Sequence, residues 1–295
     1  MIRTIWFATI LVLAGCGADD EPIVVDENPP PLRCAIGDTQ MTIHQTLMAG
    51  YDNPLRVVDS ADFDGTNDYM TRGAGLTGAA DSKSGTLSVW IRIDGGNGTG
   101  RRILSSSTVV GANVQPKIDI FIGTTNSITF NLRNSGLSVI LSMGTGAYTS
   151  SSTWLHVLAS WDLATLSRAL YVNDVDVGIY STTTDDTIDY TNADYAVGAY
   201  PDGDQKFNGC IAELYFAPGQ YLDFSKVHNR RKFISASGKP VHLDATGSLP
   251  TGTAPIVYLH LDDGEAVANF ATNRGTGGNF SITGTLDTGS TSPSD

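Results

Sequence analysis

Leu87, Val89, Ile91 and Ile93 alternate with Thr86, Ser88, Trp90 and Arg92, the two-residue period of an extended strand with one face in a core. The same period returns at Ile128, Phe130 and Leu132, and Asn134-Ser-Gly136 turns the chain into a return strand carrying Leu137, Val139 and Leu141. Leu155, Val157, Ala159 and Trp161 alternate with Trp154, His156, Leu158 and Ser160. Both sets hold apolar groups, so this strand is expected to be central and covered on both faces. Leu170 and Val172 lead into Asn173-Asp174, a pair suited to a two-residue hairpin turn. With 32 glycines and few helix-forming runs, the chain reads as short strands joined by tight turns. The exception is Phe224–Phe233, where clustered charges predict a short helix. The Ser181–Ala193 stretch is polar and reads as an exposed excursion.

Five segments occur in a telling order: Asp62–Tyr69, Gly85–Asp94, Trp154–Asp162, Leu170–Asp174 and Phe207–Phe216. Together they resemble the laminin-G-like, concanavalin A-like jelly-roll family. The resemblance implies an all-β fold, a two-sheet antiparallel jelly-roll sandwich over residues 51–238, usually used to bind carbohydrate or protein. Beyond Gly238 the motifs stop, but Ile256–Leu261 and Asn279–Thr283 still read as strands. Residues 239–289 are therefore expected to form a short C-terminal β extension packed on the sandwich, and residues 290–295 to lack fixed structure.

At the N-terminus, Arg3 precedes the apolar run Ile5–Ala14, which ends at Gly15-Cys16. That run is too short for a membrane-spanning helix, which needs about 20 residues, and suits the core of a signal peptide over residues 1–15. Leu13-Ala-Gly-Cys16 resembles a bacterial lipobox, which implies diacylation of Cys16 and an outer-membrane or cell-surface address. Residues 16–50 then read as a tether, acidic and proline-rich at its start. Cys34 and Cys210 are open to two readings, a disulfide pinning the tether or a separate thiol and buried apolar residue. The formal net charge of −13, from 31 acidic and 18 basic residues, disfavours nucleic acid and anionic lipid as partners. Membrane contact is expected through the lipid alone.

Catalytic signatures are thin. Laminarinase-like relatives carry an E-x-D-x-x-E strand, and a retaining glycosidase needs two carboxyls about 5 Å apart. Here Glu213 is the single glutamate of the matched body, flanked by Ala212 and Leu214, so the chain reads as a non-enzyme. The histidines are scattered without metal-ligand spacing. Gly95–Gly100 lacks the lysine and helix of a phosphate loop, and His228–Lys232 is a short basic run on an acidic protein.

Calcium prefers hard oxygen ligands in irregular loops. Asp62, Asp64, Asn67 and Asp68 form the first candidate set, and Asp202, Asp204 and Asn208 a second. The competing reading is that these side chains cap their own turns. In related sandwiches an aspartate of an "I-D-E" motif is implicated in calcium binding, and that position is Ala212 here. The ligand surface is placed on Tyr190, Asp194, Tyr195, Tyr200, Asp202 and Asp204, the richest local mix of rings and acids, with a glycan or a surface protein as partner. The bland alternative is a solvated loop followed by a core strand. Two other functions stay open: a phage virion or tail-associated adhesin, and a glycoside hydrolase of the same fold.

Overall fold

The structure is a computed structural model and describes residues 55–107, 109–110 and 113–295. The signal peptide, Cys16, the tether and Cys34 lie outside the described residues. Two eight-stranded antiparallel sheets make a sandwich. One sheet runs, edge to edge, Ile179–Thr183, Val139–Ala147, Ser127–Arg133, Ile118–Ile122, Arg101–Ser107, Asp194–Val197, Tyr69–Arg72 and Ser281–Thr283. The other runs Val175–Asp176, Ser167–Val172, Leu155–Asp162, Ser84–Ile93, Asn208–Pro218, Ala61–Asp64 and Asp287–Thr288, with Val257–Leu259 also paired to Asn208–Pro218.

The alternating residues sort as their period requires. Leu87, Val89, Ile91 and Ile93 enter the core between the sheets, together with Ile128, Phe130, Leu132, Val157 and Trp161. The Leu155–Asp162 strand lies between Ser84–Ile93 and Ser167–Val172 and is buried on both faces. Its outward residue Leu158 belongs to a second apolar cluster with Tyr215, Phe224, Phe233 and Tyr258. Asn173 and Asp174 both have positive φ, 49° and 65°, which is the backbone twist that closes a right-twisted hairpin.

The predicted helix shrinks to Val227–Arg230. Its basic run is a clasp: Arg230 and Arg231 both pair with Asp174, at 2.5 and 2.8 Å, and Arg230 lies over the Tyr171 ring. This fixes the Asn173-Asp174 turn from behind.

The chain past Gly238 is woven into the sandwich more deeply than an added layer. Val257–Leu259 and Asp287–Thr288 join one sheet, and Ser281–Thr283 becomes the edge of the other. Residues 290–295, expected to lack fixed structure, are instead tied down. Ser292 Oγ donates to the Val58 carbonyl, Ser60 Oγ donates to the Thr291 carbonyl at 3.0 Å, and Ser292 and Pro293 are buried. The Ser292 and Ser294 hydroxyls satisfy the Val58 and Arg56 carbonyls and Ser60 satisfies that of Thr291, and that holds the segment.

Ser181–Ala193 is an excursion only in part. Ser181–Thr183 finishes the edge strand, and Ile188 and Tyr190 turn inward to complete burial.

Candidate functional site

The strand period that fills the core also sends Trp90 and Arg92 to the outer face of their sheet. Register sets His156 beside Trp90 on one neighbouring strand and Ala212 beside it on the other. The small Ala212 side chain leaves room for the indole, which packs with Ile234 against Trp154. Trp90 is 3% exposed and stacks on His156 with ring centroids 4.6 Å apart. His156 is fully buried, with Nε2 2.8 Å from Ser88 Oγ. Burial pulls its pKa down to about 3, so the ring is neutral and serves as packing.

Trp154, half-buried, projects from the entry of the next strand on the same face. Its Nε1 donates to Thr291 Oγ1 at 3.2 Å, and the Arg92 guanidinium lies 5.8 Å from its ring centre. Arg92 is held by a two-pronged pair with Asp94, both contacts 2.8 Å. Between these rings opens a cleft of about 410 Å³. Trp90 and Ile234 lie at its base; Trp154, Asn173, Lys239 and the segment Thr291–Pro293 form its sides. Asn173 is fixed by accepting the His156 N–H at 2.7 Å and donating to the Trp154 carbonyl at 3.3 Å. An aromatic face beside amide, ammonium and hydroxyl groups suits a ligand that is apolar on one side and hydroxylated at its edges.

The surface expected from sequence does not assemble. Tyr190 and Tyr195 are fully buried. Tyr190 OH accepts from Trp161 Nε1 at 2.8 Å and donates to the Ser84 carbonyl at 3.0 Å, while Tyr195 OH donates to the Tyr190 carbonyl at 2.7 Å. Both phenols have raised pKa values, through burial first. They are core residues whose polar ends meet buried partners. Tyr200 is 8% exposed, with Arg102 stacked 4.0 Å from its ring centre and bonded to its hydroxyl. Asp194 is half-buried; Asp202 and Asp204 are exposed, and Asp202 Oδ1 accepts the Asp204 N–H in a local turn.

The first calcium set is split as well. Asp64 Oδ1 accepts the N–H groups of Thr66 and Asn67, at 2.7 and 3.0 Å, and Asp68 Oδ1 accepts that of Thr285 at 2.8 Å. Asp62 lies instead with Asp94 and Cys210. Turn and backbone amides therefore already engage Asp64 and Asp68, as the capping alternative holds. Among the described residues, two groups of three candidate ligands draw together, Asp62–Asp94–Cys210 and His260–Asp262–Glu265. Each already has a cation: Arg92 at Asp94 in the first, Arg56 at Asp262 and Arg274 at Glu265 in the second. Cys210 is fully buried, and burial, first among its causes, pushes its thiol up to about 12.

Glu213 sits at a bulge with φ of 48°, 3% exposed, its Oε2 accepting the Tyr258 hydroxyl at 2.8 Å. Burial raises its pKa to about 7, against the pull of Arg56 and the Tyr258 bond. A carboxyl sealed beneath Tyr258 has no path to a glycosidic bond.

Trp90 and Trp154 are not among the residues that the sequence pointed to as a ligand surface. The signal was present. With Val89 and Ile91 inward, Trp90 must point outward, and the Leu155 and Val157 pattern sends Trp154 to that same face.

Comparison with known proteins agrees with this architecture. A search of curated proteins returns no match. Among solved structures, a candidate carbohydrate-binding protein from Bacteroides ovatus shares the fold at a TM-score of 0.51 and 15% identity, covering 80% of this chain and 60% of that one. The chain thus spans about three fifths of that relative's length. Domains LG4-5 of the mouse laminin alpha1 chain give a TM-score of 0.40 at 19% identity, covering 58% of this chain and 44% of theirs. A Ruminococcus gnavus sialidase CBM40 bound to alpha2,3 sialyllactose gives 0.41 at 12%, covering 61% and 96%. The profile of the concanavalin A-like lectin/glucanases superfamily, in its laminin-G form, matches residues 64–218, just over half of the sequence, and to that family the chain belongs.

Proposed function

We propose that this protein is a non-enzymatic binding module, exported and anchored at the cell surface through a diacylated Cys16, and that it binds carbohydrate in the Trp90–Trp154 cleft. One observation carries the reading: a half-buried Trp154 ring opens onto a cleft whose other sides offer amide, ammonium and hydroxyl groups. Sugar C–H faces pack on an indole, and their hydroxyls need planar donors and acceptors nearby. The shared fold with the Bacteroides ovatus protein supports the reading, as does the sealed position of Glu213. A formal charge of −13 turns the surface away from polyanionic partners.

A glycan array probed with residues 17–295 tests the binding. The expected result is retention of a defined glycan, lost in Trp154→Ala. Silence across the array would oppose a carbohydrate ligand. The anchor is tested separately: Cys16→Ser should abolish palmitate labelling and move the protein out of the membrane fraction.

A further inference from the structure

We infer that the ligand is an extended oligosaccharide gripped on both sides of the Tyr148–Trp154 segment, not a single terminal sugar; this rests on the reading of the tryptophan cleft as a glycan site. A second cavity, of about 310 Å³, lies immediately beyond that segment. Ile93, Tyr148, Ser151, Thr153 and Leu155 are among the residues lining it.

One thin wall separates the two cavities, and the chain alternates across it. Ser152 and Trp154 face the cleft, while Ser151, Thr153 and Leu155 face the second cavity. Beneath them the Ser84–Ile93 strand does the same: Arg92 lies against Trp154, and Ile93 lines the far side. The two cavities therefore sit on opposite sides of the sheet at one end of the sandwich, joined over a single crest.

That crest reads Thr149-Ser-Ser-Ser-Thr153, five consecutive hydroxyl side chains, all exposed. It is held in place. Ser150 exchanges hydrogen bonds with Asn97, its N–H to Oδ1 at 3.0 Å and Asn97 Nδ2 to its Oγ at 2.8 Å. The Ser151 N–H donates to the Ile93 carbonyl at 2.8 Å, and the Tyr148 N–H to the Asn126 carbonyl at 2.8 Å. A fixed crest costs little ordering entropy when a ligand lies across it.

The sequence of surfaces is ring, hydroxyl crest, ring: Tyr148, residues 149–153, Trp154. A chain of pyranoses repeats that chemistry, with apolar C–H faces joined by hydroxylated edges. Each crest hydroxyl both donates and accepts, as each sugar hydroxyl does. A monosaccharide would fill one cavity and leave the crest and the other ring unused.

The test is calorimetric titration of the folded protein with chito-, cello- and xylo-oligosaccharide ladders, from monosaccharide to hexasaccharide. Affinity for a ladder that binds should rise by about tenfold or more as the chain lengthens, and Trp154→Ala should weaken every length. Tyr148→Ala should remove the gain from added length and leave the shortest binder unchanged. Because Tyr148 is half-buried, the exposed Thr153→Lys is a second probe. It sets a longer side chain at the second cavity while leaving Tyr148 in place, and should have the same length-selective effect. Equal affinity at every length, with Trp154 still required, would overturn the extended ligand and leave the cleft reading standing. Undiminished long-chain binding in Tyr148→Ala or Thr153→Lys would also overturn it. Binding that ignores Trp154→Ala would remove the cleft itself, and no binding to any ladder would overturn the inference.

Discussion

The Arg92 guanidinium lies 5.8 Å from the centre of the Trp154 ring, and both side chains donate to one oxygen, Thr291 Oγ1, at 2.5 and 3.2 Å. A residue 137 positions away in sequence thus sets the angle of the ring that opens the cleft. Arg92 is itself locked on Asp94. The ring is therefore oriented before any ligand arrives, which lowers the cost of binding.

Thr291→Val keeps the shape and removes the shared acceptor. Glycan affinity should fall several-fold, while stability falls by about 1 kcal/mol, the usual worth of such hydrogen bonds. Titration and a urea melt of the same sample separate the two effects. Unchanged affinity would show that the ring needs no support from residue 291.

At Gly209 the central strand pair leaves no room for a side chain. Its φ is 144°, and a Cβ there would sit 2.0 Å from the Arg92 carbonyl oxygen. Gly209→Ala should cost about 3 kcal/mol or prevent soluble expression, since strand backbone and not a flexible side chain must give way. Gly146→Ala meets nothing within 4 Å and should be nearly neutral. Comparable melting temperatures for both variants would refute the close approach.

These residues also mark how far the sequence can be read. The period of Leu87 to Ile93, the double coverage of Leu155 to Trp161 and the Asn173-Asp174 hairpin were legible because each is a local pattern imposed by one sheet. The ligand surface was misread because Tyr190, Tyr195 and Tyr200 stand among polar neighbours in sequence. Their hydroxyls are instead satisfied by Ser84, Trp161, the Tyr190 carbonyl and Arg102, partners far away or folded back. The fixed place of Ser292 was equally invisible, because it depends on Val58 at the other side of the described chain. Polarity along the chain does not report distant hydrogen-bond partners.

Buried titratable groups give stability two opposed pH dependences. Glu213 has its pKa raised from the ordinary 4.5 to about 7, so between those values the fold keeps a proton that the unfolded chain has released. Its contribution is full below pH 4.5 and is lost as pH rises through 7. His156 and His260 are lowered from 6.5 to about 3 and about 4, by burial in each case. Their contribution is full above pH 6.5 and fades as pH falls toward those lower values. Glu213→Gln should therefore gain stability on the wild type as pH goes from 5 to 8, by about 2–3 kcal/mol at about 1.4 kcal/mol per unit. Parallel melting curves at both pH values would contradict the buried protonated carboxyl.

Calcium should not shift the melt. Asp64 and Asp68 are engaged by backbone amides, and Asp62 lies with Asp94 and Cys210 near Arg92. Melting temperatures in EDTA and in millimolar calcium should agree. A rise that grows with calcium concentration would point to binding by the folded state and reopen the Asp62–Asp68 loop as a site.

The Trp154 ring is proposed as the platform on which a sugar lies. The direct measurement is calorimetric titration of wild type and Trp154→Ala with a glycan retained on the array, after a melt shows that both proteins fold. The variant should lose about 2 kcal/mol or more of binding, the size expected for an aromatic hot spot. Equal affinity in the two proteins would contradict it.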